Sequence, residues 1–443
     1  MTQIFQNLDF EKKSAEHINS VQNQLLRESI QYAVNNSPYY RDLFNKNSIS
    51  PEDIREAGDL ARLPLTNKDI LREKNWDFLA ATRTEIREIV STTGTTGLPI
   101  FLAMTRNDLN RLGYNEQRSF LCADTAPDDV YQLAVTMDNL FIAGLAYYLG
   151  ITGLGTQVIR VGPQNSRRHL ELMQELGVTG IVAVPSFMLH LYKEMQKIEL
   201  SVSDFKLKKA ILIGDTIREQ DFSSNTLGWA IEDQWKIPCY STYGFTEGAI
   251  SYCECGEHRG LHEHPDLIVS EIVDPDGNPL PEGEVGELLI TTLGVEGMPL
   301  IRYQTGDITF MISEPCKCGR NSSRLGPILG RKDHKLKLKG TTVYPQNIIN
   351  ALYEIAAIEN YILEAYKGDD FADFLVVRVG CRQCGPELLK LIQHTIKAKA
   401  RVTPHIEICD PEAIKQLQWE GNPRKPLTFI DRRGDSFLAH RQS

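Results

Sequence analysis

A chain of 443 residues is longer than one ordinary hydrophobic core sustains, so two or three domains are expected. Its 42% hydrophobic and 24% charged residues are those of a globular protein, neither disordered nor membrane-embedded. The net charge of −10, without a basic tail, argues against a general nucleic-acid partner. The start, Met1-Thr-Gln-Ile-Phe-Gln-Asn7, has neither the basic opening nor the apolar core of a signal peptide. No apolar run approaches the roughly 20 residues of a membrane helix. Cytoplasmic residence and no membrane partner are therefore the expectation, as a monomer or homodimer. Nine cysteines do not pair evenly, and thiols or metal ligands are expected rather than a disulfide framework.

In chain order, Ile18, Val21, Leu25, Leu26, Ile30 and Val34 form a helical stripe that Asn35-Asn-Ser-Pro38 ends. An apolar run, Ile86–Val90, leads into a loop of hydroxyls and glycines. From about Val130 to Gly244 apolar strands alternate with amphipathic segments. Tyr131–Val135, Gln157–Val161, Gly180–Val184 and Ala210–Ile213 read as strands, and Arg167–Leu176 and Phe187–Ile198 as helices. That rhythm predicts a mostly parallel, doubly wound α/β sheet. Ligands of such sheets bind beyond the carboxyl ends of strands, where Gly214-Asp-Thr216 and Tyr243–Glu247 fall. After Leu267 the pattern becomes a small β subdomain, about 267–330, with a turn at Asp274-Pro-Asp-Gly-Asn278 and a strand over Glu284–Thr292. Gly330–Lys335 is the expected boundary. Residues 1–330 are read as the large domain, and 331–443 as a compact α+β domain of ordinary size.

The loop Ser91-Thr-Thr-Gly-Thr-Thr-Gly-Leu-Pro99 is the densest chemical signal. Glycines let backbone amides approach a polyphosphate, and Ser/Thr hydroxyls add donors. It is not the Gly-x-x-x-x-Gly-Lys-Ser/Thr loop, because Leu98 and Pro99 follow the last glycine. Tyr243-Gly-Phe-Thr-Glu-Gly248, Arg302-Tyr-Gln-Thr-Gly-Asp307, Gly330-Arg-Lys-Asp333 and Arg424-Lys425 follow in that order. Together these motifs resemble the adenylate-forming, acyl-activating enzymes over nearly the whole chain. Ser37-Pro-Tyr-Tyr40, Met298–Tyr303, Thr342–Pro345 and Lys425–Asp431 are similar to the phenylacetate–CoA ligase branch.

The resemblance implies a large adenylation domain followed by a mobile C-terminal domain. Its reaction joins a carboxylic acid, ATP and coenzyme A, giving acyl-CoA, AMP and pyrophosphate. Ser91, Thr92, Thr93, Gly94, Thr95, Thr96 and Gly97 would cradle the phosphates. Related enzymes often carry a lysine after the last glycine, where this chain has Leu98, so backbone donors act unaided or another cation contributes. Glu247 suits magnesium, a hard cation that prefers carboxylate oxygen. Tyr243 would stack on adenine, with Gly214, Asp215, Thr216, Gly244 and Thr246 beside the nucleotide. The family implies that Asp307 takes the ribose hydroxyls, Arg331 the ribose or phosphate side, and Lys425 the reacting carboxylate and α-phosphate. Arg424 is the fallback, since Arg-Lys-Pro replaces the usual Gly-Lys. Asp333 matches the hinge, and Lys337–Gly340 would enter the site in the second half-reaction.

Phe141, Ala143 and Gly144 match the family's acyl-pocket segment. With Pro185, Gly214, Tyr243 and Gly248 they suggest a slot for a flat aromatic acid, while Asp215 would suit an amino or hydroxyl substituent. Cys316-Lys-Cys318 has the look of half a zinc knuckle. The resemblance adds Cys255 and His262, with Cys253 and His258 as alternates, for a closed structural zinc site. Cys381-Arg-Gln-Cys384 reads as incidental. Two other readings stay open: delivery of the acyl group to a carrier protein or amine, and a non-catalytic nucleotide-binding homologue.

Overall fold

The computed structural model describes residues 7–92, 99–338, 341–367, 373–382, 385–420 and 426–436. The chain divides into two compact units, Met1–Ser224 with Gly228–Ile328, and Asn225–Leu227 with Leu329–Ser443.

The larger unit begins with α1, Ala15–Asn36, which the Ser14 hydroxyl caps by accepting the His17 N–H at 3.3 Å. Ile18, Leu25, Leu26, Ile30 and Ala33 are buried along one face. Val21 and Val34 lie half-buried beside them. Pro38 has no amide to continue the ladder, so the chain breaks at Ser37, which also caps α2, Pro38–Lys46. A short helix α3, Lys68–Glu73, follows. Next come two antiparallel strands, β1 (Ile86–Ser91) and β2 (Phe101–Thr105). Helix α4 spans Arg106–Cys122.

The main sheet follows the predicted rhythm. β3 (Val130–Leu133), β4 (Gln157–Arg160), β5 (Gly180–Ala183), β6 (Lys209–Leu212) and β7 (Cys239–Phe245) pair in parallel. Helices α5 (Ile142–Gly153), α6 (Ser166–Glu175) and α7 (Pro185–Lys197) intervene. Each strand stops short of its predicted end, yet Val161 still donates to the Leu133 carbonyl and Ile213 to that of Ala183. The apolar run thus outlasts the regular ladder. Gly180 is needed for contact, since a Cβ there would lie 2.4 Å from the Tyr131 ring.

Beyond β7 the sheet turns antiparallel through β8 (Ile250–Glu254), β9 (Leu261–His262) and, further along the chain, β13 (Met311–Ile312) and β14 (Arg324–Leu325). A second sheet holds β10 (Ile268–Val273), β11 (Gly286–Thr292) and β12 (Tyr303–Thr309). The Asp274–Asn278 turn forms as read, with Asp274 Oδ1 accepting the Asp276 and Asn278 amides at 2.9 Å each.

The smaller unit has a sheet in the order His405–Cys409, Asp373–Gly380, Asn360–Lys367, Phe429–Ser436. Helices Pro345–Tyr353, Pro386–Ala400 and Pro411–Gln418 accompany it. Among the described residues no helix is long and apolar enough to cross a membrane.

Helix α4 buries polar groups that no amphipathic pattern announces. Arg111 donates to the carbonyls of Leu293 (2.9 Å), Ala249 (3.0 Å) and Leu267 (2.6 Å). Arg118 joins Glu11 and Asp266. Glu116 is less well served. One oxygen accepts from Ser251 Oγ at 2.7 Å, and the other is buried without a hydrogen-bond partner among the described residues. Burial raises its carboxyl from the usual 4.5 to about 7. Between those values the folded state holds a proton that the unfolded chain has released, so this group's contribution to stability falls as pH rises through the window. Glu116→Gln keeps the shape and cannot ionise. Its melting temperature minus that of the parent should grow more positive from pH 5 to pH 8; a difference independent of pH in calorimetry would contradict this.

Candidate active site

The predicted site residues of the larger unit gather at the carboxyl ends of the parallel strands. β1 ends at Ser91, paired with Phe101, so the hydroxyl-rich loop is the β1–β2 connection. Ser91 and Thr92 are buried at its base. Thr92 donates to the Ile100 carbonyl at 3.0 Å, and its hydroxyl faces the Ile100 amide at 3.3 Å. Thr93, Gly94, Thr95, Thr96 and Gly97 lie outside the described residues. The Ser91 amide donates to the Leu140 carbonyl at 3.0 Å, which ties the loop base to the segment predicted to form the acyl pocket.

That segment runs from β3 into α5. Phe141 stands at the N-cap position without a side-chain cap, and Phe141 and Ala143 are half-buried. Gly144 is buried, and a Cβ there would sit 2.0 Å from the Thr136 carbonyl, so close packing alone demands glycine. Asn139 and Leu140 both have φ +59°. Asparagine tolerates the left-handed region; for leucine it costs about 1–2 kcal/mol. Past β6, Gly214 adopts φ +87°, with Asp215 and Thr216 half-buried after it. Pro185 is buried in the first turn of α7.

At the end of β7 the Tyr243 hydroxyl donates to Asp307 Oδ2 at 2.7 Å, from the neighbouring sheet. Burial first, then the Asp307 carboxylate, pushes the Tyr243 phenol well above its usual value, so it remains a protonated donor. Asp307 is only 3% exposed. Gly244 is exposed and Thr246 half-buried, while Gly248 approaches Phe245 so closely that a Cβ would lie 2.7 Å from its ring. Glu247 accepts from the Tyr303 hydroxyl at 3.3 Å and lies 3.7 Å from Lys68 Nζ. Val90, Ile142, Thr246 and Glu247 line one cavity, with Arg111 at its wall.

Lys68 is the residue that sequence reasoning passed over. Thr66 exchanges backbone hydrogen bonds with Arg302 and Gln304, at 3.0 and 2.8 Å, which brings α3 beside Tyr303. Asn67 caps α3, so Lys68 opens the helix. A cation there opposes the helix dipole. That mismatch, together with a phosphate loop lacking lysine, was the available signal.

Cys255, His262, Cys316 and Cys318 come together from the β8 end, β9 and the β13–β14 loop, with one ligand atom from each within 4.8 Å of the others. Cys255 and Cys316 sulfurs are 3.7 Å apart, and Cys318 Sγ lies 3.4 Å from His262 Nε2. A tetrahedral zinc with sulfur at about 2.3 Å and nitrogen at about 2.0 Å sets edges of about 3.8 and 3.5 Å, so the four fit. The alternates are engaged elsewhere: Cys253 is buried in β8, and His258 Nδ1 contacts Arg218 (2.9 Å) and Glu254 (3.2 Å). Arg320 donates to Cys318 Sγ at 3.5 Å.

In the smaller unit Arg331 is exposed, and Asp333 lies in the turn Lys332–His334. Arg433 fastens that turn, donating to the Asp333 carbonyl and, at 2.9 Å, to that of Lys335. Lys337 lies in the strand Leu336–Leu338. Lys425 and Arg424, like Lys339, Gly340 and Cys384, lie outside the described residues.

Comparison with known proteins bears on the family and the fold. The family model described as AMP-binding enzyme matches residues 50–297. A phenylacetate-coenzyme A ligase from Thermus thermophilus is 33% identical, over 79% of this chain and 78% of that protein. One from Escherichia coli is 30% identical, over 92% and 94%. A crystal structure of 2-hydroxyisobutyryl-CoA ligase in the postadenylation state, with 2-HIB-AMP, has a TM-score of 0.83 at 20% identity, covering 98% of this chain and 94% of that one; it shows the shared fold. Fold and relatives together define an ATP-dependent, AMP-forming acid–CoA ligase. The chain belongs to the AMP-binding enzyme family, in its phenylacetate–CoA ligase-like branch.

A half-exposed ion pair adds little to folding, so the placement of Lys68 predicts a selective effect. Lys68→Met should raise the KM for ATP about tenfold, the loss of one charge-assisted contact, and leave the melting temperature within a degree or two. An unchanged KM would remove Lys68 from nucleotide binding.

Proposed function

We propose that this ligase activates an aromatic acid, phenylacetate-like or benzoate/aminobenzoate-like, and transfers it to coenzyme A. The observation that carries the reading is that Tyr243 meets Asp307 and Glu247 meets Tyr303, while Val90 at the phosphate-loop base lines one cavity with Glu247. It lies beside a pocket segment whose small residues Ala143 and Gly144 follow Phe141. The names of the relatives support an aromatic acid.

In the first half-reaction a carboxylate oxygen attacks the α-phosphorus of ATP, and pyrophosphate leaves. The loop from Ser91 to Gly97 holds the phosphates through amides and hydroxyls, with Lys68 as the cation the loop lacks. Glu247 has the oxygen donor that magnesium prefers, and that ion would neutralise phosphate charge when bound. Tyr243 lies against adenine. Asp307 accepts the ribose hydroxyls, and Arg331 pairs with the ribose or phosphate side. Lys425 meets the negative charge that develops at the α-phosphate. In the second half-reaction the thiol sulfur attacks the acyl carbon and AMP leaves. Residues 331–443 act as the moving domain, turning about Asp333 to withdraw Lys425 and bring in Lys337–Gly340.

The cysteine–histidine cluster is the second part of the proposal. A site filled by four protein ligands has no open position for chemistry, so its role is structural, joining the β8–β9 turn to the β13–β14 loop. Purified protein should carry about one zinc per chain. Cys318→Ser should lower both the zinc content and the melting temperature. Metal-free protein with the same melting curve would reject the site.

The test of the whole reading is pyrophosphate release across a panel of aryl and short aliphatic acids, with and without coenzyme A. Release that responds to aryl acids and rises with coenzyme A is the expected result. Release indifferent to coenzyme A would redirect the acyl group to a carrier protein or an amine. Response to aliphatic acids alone would overturn the aromatic assignment, and no release with any acid would return the non-catalytic reading.

A further inference from the structure

In the smaller unit, the backbone after Asp333 is held by side chains at every second residue. Arg433 Nη2 donates to the Asp333 carbonyl, and Nη1 to that of Lys335 at 2.9 Å. Asp431 braces this guanidinium: its Oδ1 accepts from Arg433 Nε at 2.9 Å and from the Arg433 amide at 3.0 Å. Further along, Asp373 Oδ2 accepts the Lys337 amide at 2.6 Å and lies 3.7 Å from Arg433 Nη1. Between the two held carbonyls, the His334 ring packs against Phe429 with centroids 4.7 Å apart.

These holds come from two strands of one sheet. Phe429, Asp431 and Arg433 belong to Phe429–Ser436, and their spacing of two sets them on one face of it; Asp373 opens Asp373–Gly380. A planar guanidinium that grips two carbonyls fixes both peptide planes. Turning the chain anywhere from His334 to Lys337 would break these contacts. The φ and ψ of Asp333 are therefore the last dihedrals that can turn without cost to them, which is a physical reason for a hinge at that residue. The strand that grips the turn also starts four residues after Lys425. One strand thus touches the turn directly and leads back along the chain to Lys425.

We propose that Arg433 is a positioning residue for both half-reactions: it couples the turn after Asp333 to the strand that follows Lys425, so that rotation at Asp333 carries Lys425 and the segment starting at Lys337 as one piece. Arg433 acts through backbone carbonyls and meets no substrate. A lysine in its place has a single ammonium, which can meet one carbonyl but not both carbonyls and Asp431 in one plane. This inference rests on the ligase reading above and on its turning domain.

The test uses the full-length protein, with Arg433→Met and the milder Arg433→Lys. Deuterium uptake by residues 333–338 is read by mass spectrometry. Pyrophosphate release with phenylacetate gives kcat and KM for adenylation, and supplied phenylacetyl-adenylate with coenzyme A gives the single-turnover rate of thioester formation. In Arg433→Met, uptake over 333–338 should rise while that of Asn360–Lys367 stays at the parent's level. Both rates should fall about tenfold, the loss of one charge-assisted contact, with KM for acid and ATP unchanged. Arg433→Lys should recover part of each rate. Unchanged uptake over 333–338 would overturn the coupling, as would raised uptake with both rates intact. A loss confined to one half-reaction would show that the two parts do not move as one piece. Uptake raised throughout Asn360–Lys367 in both variants would make Arg433 a residue of the fold and reject the proposal. A parent that releases no pyrophosphate with phenylacetate or benzoate overturns the aromatic ligase reading instead, and the uptake result is read apart from it.

Discussion

One buried guanidinium sets the spacing on which the larger unit's ligand edge depends. Arg111 grips the carbonyls of Ala249, Leu267 and Leu293, which lie just before β8, just before β10 and just after β11. Carbonyls at such strand ends need donors when buried. A planar fork can satisfy three of them only in one relative placement. Ala249 follows Glu247 by two residues, so the carboxylate takes its position from this grip. The same helix supplies Asp108, whose oxygens accept the Glu296 and Gly297 amides at 2.8 Å each. Helix α4 is thus a polar post, and the loops around it are fixed by hydrogen bonds more than by apolar packing.

Around that post the two sheets present paired groups. Tyr243 from the main sheet meets Asp307 from the second, and Glu247 meets Tyr303 and Lys68. Partners of this kind hold each other in fixed rotamers, so less ordering would remain to be done in the proposed nucleotide binding. In the proposed reaction the same groups exchange these contacts for ribose, magnesium and phosphate.

A second centre of order lies at the cysteine–histidine cluster. Arg320 bonds Cys318 and also pairs with Glu11 at 2.9 Å, while Glu11 holds Arg118 and His264. Asn321 donates to the Glu11 and Lys13 carbonyls at 2.7 and 2.9 Å. The N-terminal segment, α4 and the β13–β14 loop are therefore joined through one buried charged network next to the four proposed ligands. Such a network is tolerable in low dielectric because each charge has a partner.

Much of this was legible in the residues themselves. Period and composition announced the α1 stripe, the parallel strands and the Asp274–Asn278 turn, since burial of one face and turn chemistry are local demands written at fixed spacing. Motif order carried the family and brought Tyr243, Glu247 and Asp307 into view. Three things were not legible. Helix α4 is rich in polar residues, and nothing local says that Arg111, Glu116 and Arg118 are inside, because their partners come from 107 to 182 residues away. Lys68 met Glu247 only through the backbone pairing of Thr66 with Arg302 and Gln304. The choice among clustered cysteines and histidines was likewise spatial, since Cys253, Cys255, His258 and His262 crowd one stretch of sequence and, among the described residues, Cys255 and His262 are the two of them grouped with Cys316 and Cys318 within 4.8 Å. Sequence by itself determined the elements and the chemistry carried by each loop, because those follow from neighbours along the chain. Tertiary structure decided which charges face one another, because distance in space is set by packing of elements far apart in sequence.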